Sequence, residues 1–512
     1  MVSLLASAAL AGLCTFIWLW RGRRARVPAI PPPPGPTPHW LLGNLLDMPR
    51  SRPWIRFTEW KAQYGDIVYL RFLGRSFLIL NSHEAVIDLL EKRGGIYAGR
   101  PRSTMAGELV GLSRATPALS YGPELRLHRK LARMALRPEV IQKYVPVQEQ
   151  AARRFVQAIL ERPTDFMGEL RLAIGGTILN ITYGLSINTA DDKNITLAEE
   201  ALAYADRAVS PGAWLVDTFP SLKYIPDWFP FAEFKRFAKR GRELLEQLAE
   251  VPLEHVKREM SSGTSEPSLA ASLLSDPGAL EGESEHEFEH ALKWALGSLY
   301  GGGTGTTFGT IMTFIMLMAR HPDIQHRAQE EIKSVVGSER LPSLEDRASL
   351  PYVNALIKET MRFHVATPLA IARRTMQEDT YRGYHIPANT IVLPNVWSLS
   401  QDPSVYPSPD DFNPERFLHS EAGKEPMDPW DYMFGFGRRN CLGKPWAENT
   451  IFIMITSLLA TVNIADITDV DGHDITLQDH FAEHLTRVPK PFKCKFQANS
   501  EAALMLIRTT TS

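Results

Sequence analysis

Ten residues, Phe434-Gly-Phe-Gly-Arg-Arg-Asn-Cys-Leu-Gly443, constrain this chain more than any other stretch. They place one cysteine, Cys441, in a glycine-rich loop. The residues that follow, Lys444 to about Val462, carry the pattern of a helix. Phe434, Gly437, Arg439, Cys441 and Gly443 each have a chemical reason if Cys441 is a thiolate ligand to a haem iron. A haem is flat, apolar and dianionic. Backbone close beneath it must be thin, and Gly437 and Gly443 carry no side chain. The N–H groups of a starting helix favour a thiolate. Arg439 can neutralise a propionate through a charge-assisted pair, and Phe434 can pack on the ring.

The loop resembles the cysteine-ligand loop of the cytochrome P-450 family, the haem-thiolate monooxygenases. Two further motifs follow in the family's order. Glu359-Thr-Met-Arg362 lies on a helix beginning near Ser349, with Glu359 and Arg362 on one face. It resembles the family's Glu-x-x-Arg, and Arg416 in Asn413-Pro-Glu-Arg-Phe417 is the third member. A buried carboxylate shared by two arginines would fix the loop that holds the ligand; the role is structural. The likeness covers about residues 30–510 and implies a mainly helical fold with a small β-rich lobe. Haem b would lie between a distal helix and the Cys441 loop, with Cys441 as the metal ligand. The thiolate would favour O–O cleavage.

The distal helix reads over His290 to Arg320. It contains Gly301-Gly-Gly-Thr-Gly-Thr-Thr307, with four glycines in five positions, which costs on the order of several kcal/mol of helix propensity. Close approach to the haem face, with room for dioxygen, is one physical reason; loose helix packing is another. Against the family's Ala/Gly-Gly-x-Asp/Glu-Thr-Thr/Ser, Thr306 supplies the alcohol but Gly305 stands where the acid belongs. Water and Thr306, or Thr304, would then relay protons to bound dioxygen. Two outcomes follow: a monooxygenase with leakier coupling, or a rearrangement or dehydration that needs less proton delivery. A haem-binding protein without turnover is the non-enzymatic alternative.

The resemblance assigns further sites. Arg129 is the surviving half of a Trp-x-x-x-Arg pair for a propionate, because Leu125 occupies the tryptophan position. Arg373, beside Arg374, is a second propionate candidate. Residues Val365 to Ile371 would line the pocket, and Leu112, Leu296, Tyr300, Val365, Ala366 and Leu369 are its apolar candidates. An apolar pocket implies a lipophilic substrate. The aromatic run from Trp214 to Phe231 reads as a membrane-touching roof or as core. The turn from Leu485 to Val488 would dip into the pocket.

Residues Met1 to Trp20 carry no charged side chain, and roughly 20 helical residues span a bilayer core of about 30 Å. Arg21-Gly-Arg-Arg-Ala-Arg26 follows, which puts that end in the cytosol. A cleaved secretory signal carries its positive charge before the apolar run instead. The expected organisation is a transmembrane anchor over 1–20, a basic and proline-rich hinge over 21–36, and a catalytic domain over 37–512. The location implied is the endoplasmic reticulum membrane. No Rossmann or flavin motif is evident, so electrons would come from NADPH through a separate reductase, with cytochrome b5 as a further donor. The basic helix after Tyr121 would face an acidic donor. A net charge of -2 gives no argument for nucleic acid. Cys14, Cys441 and Cys494 suggest no disulfide framework. Anchor and proline run together look most like fungal microsomal members, many of which oxidise secondary metabolites.

Short strands are expected at 67–72 and 76–80 with a turn between them, at 381–386 and 390–393, and in a last sheet of 492–496 with 504–507.

Overall fold

The computed structural model describes residues 30–210, 212–280, 282–418, 426–477, 479–483 and 485–508. The anchor expected over 1–20 lies outside these residues. Among the described residues no helix is long and apolar enough to cross a membrane. Part of the expected hinge is described. It is docked on the body: Tyr69 N–H donates to the Pro34 carbonyl and His385 N–H to the Pro31 carbonyl, each at 2.8 Å.

Helices dominate. Those that position the site are α1 (Pro123–Ala135), α2 (Val145–Glu161), α3 (Phe166–Tyr183), α4 (Lys193–Val209), α5 (Glu233–Ser262), α6 (Glu285–Arg320), α7 (Pro351–Phe363) and α8 (Lys444–Thr461). The main sheet is a small lobe of four strands in the order β1-β2-β4-β3, with β1 Ile67–Phe72, β2 Arg75–Leu80, β3 Arg373–Arg374 and β4 Ile391–Pro394. β1 and β2 form a hairpin in which Phe72 pairs with Arg75. The loop is therefore two residues, one shorter than expected. Leu73 and Gly74 both take positive φ (50° and 73°), the mirror-image turn that matches strand twist.

α6 is the axle of the helical layer. It starts five residues before its expected position, because Ser284 and Glu287 form a reciprocal cap there. Its 36 residues are buried along most of their length. The glycine run divides into two kinds. A Cβ on Gly303 would fall 2.8 Å from Ile178 of α3, and one on Gly297 would fall 3.0 Å from Ala249 of α5. Those glycines permit close helix packing. A Cβ on Gly302 or Gly305 would meet nothing within 4 Å. Those two face open space. Loose helix packing, expected as one reason, is not what Gly303 shows; there the helices press together, while Gly302 and Gly305 leave the space that the other expectation requires.

The last sheet differs from expectation. β5 (Val462–Asp469) pairs antiparallel with β8 (Phe492–Ala498). The segment 504–507, expected as a strand, belongs to the helix Glu501–Arg508. Ser500 accepts the Ala503 N–H at 3.1 Å and starts it, and Ala502 and Ala503 favour it. Between these lie β6 (Phe481–Glu483) and β7 (Arg487–Pro489), a hairpin that lies against α6.

Candidate functional site

The Cys441 loop is wound by its own backbone. Cys441 N–H donates to the Phe434 carbonyl at 2.7 Å, and Asn440 N–H donates to Gly437 at 3.2 Å. Gly437 has φ of 51°, and a Cβ there would fall 2.4 Å from the Leu90 carbonyl oxygen. No other residue fits at that point. Gly443 caps α8, and a Cβ on it would lie 3.7 Å from the Cys441 sulfur. Phe434 stacks on Trp430 with ring centres 5.4 Å apart.

Cys441 is an exposed residue with a free thiol. Burial pushes its thiol up; the Gly443 N–H, the Arg129 charge and the Lys444 N–H oppose that push. A cation bound at the sulfur would complete what these donors begin.

Four arginines converge beside this loop. Arg373 is buried and donates to the carbonyls of Phe436 (2.6 Å) and Leu90 (3.4 Å). Arg439 donates to the carbonyls of Ala98 (2.8 Å) and Leu119 (2.7 Å), and its buried Nη1 has no partner among the described residues. Arg129 on α1 holds Asn440 through its carbonyl (2.9 Å) and its side-chain oxygen (2.6 Å). Arg100 is also buried, and donates to the carbonyls of Pro117, Ile371 and Ala372 at 2.6 to 2.7 Å. Among the described residues none of the four pairs with a carboxylate.

Burial, and then repulsion from neighbouring arginines, lowers all of them: Arg373 and Arg439 to about 10, Arg100 well below its usual value, and Arg129 below its usual value with Arg133 as the repelling neighbour. Glu91 offsets this only at Arg373. Buried cations without an anion are costly. This donor set fits a dianion such as a pair of haem propionates. Arg100 was not singled out from sequence. Its one signal is an isolated arginine in the otherwise small and apolar Tyr97-Ala-Gly-Arg-Pro101. Leu125 is buried core and offers no donor at the tryptophan position.

Beneath the loop, Glu359 and Arg362 of α7 are fully buried. Glu359 accepts from Arg362 Nε (2.7 Å) and Nη2 (2.8 Å), from Arg416 Nε (3.1 Å) and from Asn413 N–H (2.8 Å). Arg362 reaches on to the Ser400 and Asp411 carbonyls. The three residues expected together are brought together.

On α6, Thr306 donates to the Gly302 carbonyl at 3.2 Å. Gly302, Gly305 and Thr306 share the open face. Thr304 does not. It lies about 200° around the helix from Gly302 and Thr306. Its methyl is within 3.9 Å of where a Cβ on Gly175 of α3 would sit. Thr304 is therefore removed as a relay candidate. Three pocket candidates are corrected for related reasons. Leu296 and Tyr300 face away from the open side, and the Tyr300 hydroxyl donates to the Asn194 carbonyl at 2.9 Å. Val365 is fully buried in the core around Tyr406 and Phe436. Leu112 and Ala366 stay partly buried, and Leu369 leans on the core around Phe57 and Trp60. Ser298 and Ile371 are better placed. Ser298 precedes Gly302 by one helical turn, and Ile371 is exposed between Ala370 and Ala372.

The short helix Thr104–Leu109 is gripped at both ends by the segment around Leu215–Thr218. Asp217 accepts from Ser103 Oγ and Met105 N–H, each at 3.0 Å, and Lys223 pairs with Glu108 at 2.5 Å. At the far side, Val488 of β7 would lie 3.4 Å from a Cβ on Gly309.

Two buried histidines carry a pH dependence. Burial pushes His364 down to about 3 and His128 down to about 4. In the unfolded chain both titrate near 6.5. The unfolded state therefore binds more protons between these values, so stability is full above about pH 6.5 and falls as pH drops. Going from pH 7 to pH 5 should cost about 2 kcal/mol for each histidine. Urea midpoints at the two pH values, with and without His364→Phe, measure it.

Fold and site together set four arginines, without carboxylate partners among the described residues, around a loop that carries a cysteine at the start of a helix. A family model described as cytochrome P-450 matches residues 33–496, and the chain belongs to that family of monooxygenases, which are oxidoreductases. It is 39% identical over 479 residues to cytochrome P-450 monooxygenase claR of Ampulloclitocybe clavipes, covering 93% of this chain and 88% of that one. It is 38% identical to cytochrome P-450 monooxygenase 226 of Postia placenta, covering 92% and 89%. It is also 37% identical to tryptamine 4-monooxygenase of Psilocybe cyanescens, covering 98% and 99%.

Proposed function

We propose that this protein is a haem-thiolate monooxygenase that inserts one oxygen atom into a lipophilic substrate in secondary metabolism. Cys441 would hold haem b, and Arg100, Arg129, Arg373 and Arg439 would hold its propionates. When bound, that group would supply the oxidising chemistry. The observation that carries the reading is the accessible Cys441 sulfur beside four arginines that lack a carboxylate partner among the described residues. The chain's own residues bind the group, close the roof and present the Thr306 hydroxyl. Purified protein reduced under carbon monoxide should give the red-shifted absorption band of a thiolate-ligated haem. Well-folded protein without that band would sink the proposal.

Electrons would come from NADPH through a separate reductase, with cytochrome b5 as a further donor. The basic residues Arg126, Lys130 and Arg133 on α1 support an acidic partner. The expected location is the endoplasmic reticulum membrane, with the body in the cytosol. Supporting it, Leu215, Phe219, Tyr224, Trp228 and Phe231 are exposed on the roof, Phe231 at 89%. That much exposed aromatic surface suits a lipid interface. The relative named tryptamine 4-monooxygenase supports a small organic molecule as substrate.

Gly305 favours a second reading, a rearrangement or dehydration that needs fewer protons delivered. The two separate on one substitution. A Cβ at 305 would meet nothing within 4 Å, so Gly305→Asp should fold. If dioxygen is being cleaved, product formed per NADPH should rise severalfold with this variant. Unchanged coupling would argue against a proton-limited monooxygenase.

A further inference from the structure

We infer that His128 is a positioning residue for the arginine cradle: through Thr116 it fixes the loop carbonyls that hold Arg100 and Arg439. The inference rests on the haem reading above.

His128 lies on α1, next to Arg129, and is completely buried. Its Nδ1 is 3.0 Å from Thr116 Oγ1. Its Nε2 has no partner among the described residues. A buried polar ring with one orphaned nitrogen is expensive where an apolar ring would fill the space. The bond to Thr116 offsets that cost, so the bond rather than the bulk explains a histidine here.

Thr116 sits in a tight turn. The N–H groups of Ala118 and Leu119 both donate to the Ala115 carbonyl, at 2.9 and 3.0 Å. That turn presents two carbonyls. The Pro117 oxygen accepts Arg100 Nε at 2.6 Å, and the Leu119 oxygen accepts Arg439 Nη2 at 2.7 Å. Two bonds tie the turn to the helices. One is Thr116 Oγ1 to His128, and the other is Thr116 N–H to Ser298 Oγ of α6 at 3.0 Å. Ser298 is itself anchored on the Trp294 carbonyl at 2.6 Å. His128 thus sets where the two guanidinium groups stand without touching the bound group. Residues that orient a cofactor's direct partners typically change its affinity about 10–100-fold when lost.

The test uses holoprotein. Haem loss is followed by transfer to excess apomyoglobin for the wild type, Thr116→Val, His128→Leu, the double variant and His128→Asn. Thr116→Val removes one hydroxyl at nearly constant volume and keeps the Ser298 bond. Thr116→Val and His128→Leu should each lose haem about tenfold faster. The double variant should be no faster than either alone, and His128→Asn should recover most of the difference. Amide exchange of residues 112–119 should accelerate in the same variants. Unchanged haem loss, or a double variant whose effect is the product of the singles, would overturn the inference. Absence of the carbon monoxide band from wild type would instead reject the haem reading. The exchange arm would still report on the tether, and unchanged exchange there would overturn it too.

Discussion

Cys441→Ser is expected to yield folded protein that neither shows the red-shifted carbon monoxide band nor turns over substrate. The thiolate is the one strong electron donor the loop offers, and a serine hydroxyl stays protonated where a thiol ionises. The fold should be indifferent. The loop is closed by the Cys441 N–H to Phe434, and α8 is capped at Gly443; both are backbone features. A substitution of this kind away from packed core changes stability by about 0.5 kcal/mol or less. Far-ultraviolet dichroism and a urea midpoint would show the fold retained, and the reduced difference spectrum would show the ligand gone. Retention of the band would mean that another residue binds the iron.

Glu359→Gln should do the reverse, leaving the ligand in place and losing the structure that carries it. Glu359 is fully buried and satisfies two guanidinium groups and the Asn413 N–H. An amide keeps the shape but removes the charge, so Arg362 is left as an uncompensated buried cation. Breaking such a pair costs about 3–5 kcal/mol, a large share of a domain's stability. Arg416 would also release the segment that starts at Asn413. The expected outcome is protein with little or no haem, much of it insoluble, read as haem per polypeptide. Arg362→Lys should be nearly as damaging, because a single ammonium cannot reproduce the forked donation to Glu359, Ser400 and Asp411. Normal haem content in Glu359→Gln would show the triad to be dispensable.

Motifs whose chemistry is local could be read from residues alone. The Cys441 loop, the Glu359–Arg362 spacing and the glycine run each announce a constraint that acts within a few positions. What could not be read was orientation around a long helix. Thr304 and Thr306 are indistinguishable as residues; only the helix's rotation, fixed by Ile178 and Ala249 pressing on its glycines, turns one toward α3 and the other toward the opening. Tyr300 was misjudged for the same reason. Arg100 was missed because its partners are backbone carbonyls some 17 and 270 residues away, which leave no trace in composition or spacing. The segment 504–507 misled because a short apolar run has no periodicity of its own, and a serine cap decided it.

With the Thr104–Leu109 helix as the cover of the proposed site, its two-ended grip would set how fast molecules pass. Since Asp217 and Lys223 hold opposite ends of that helix, the cover cannot peel back one piece at a time. Several bonds would have to yield in a single event, for a departing product as for an arriving substrate. Steady-state turnover should therefore follow solvent viscosity, as it does when escape is slower than bond-making.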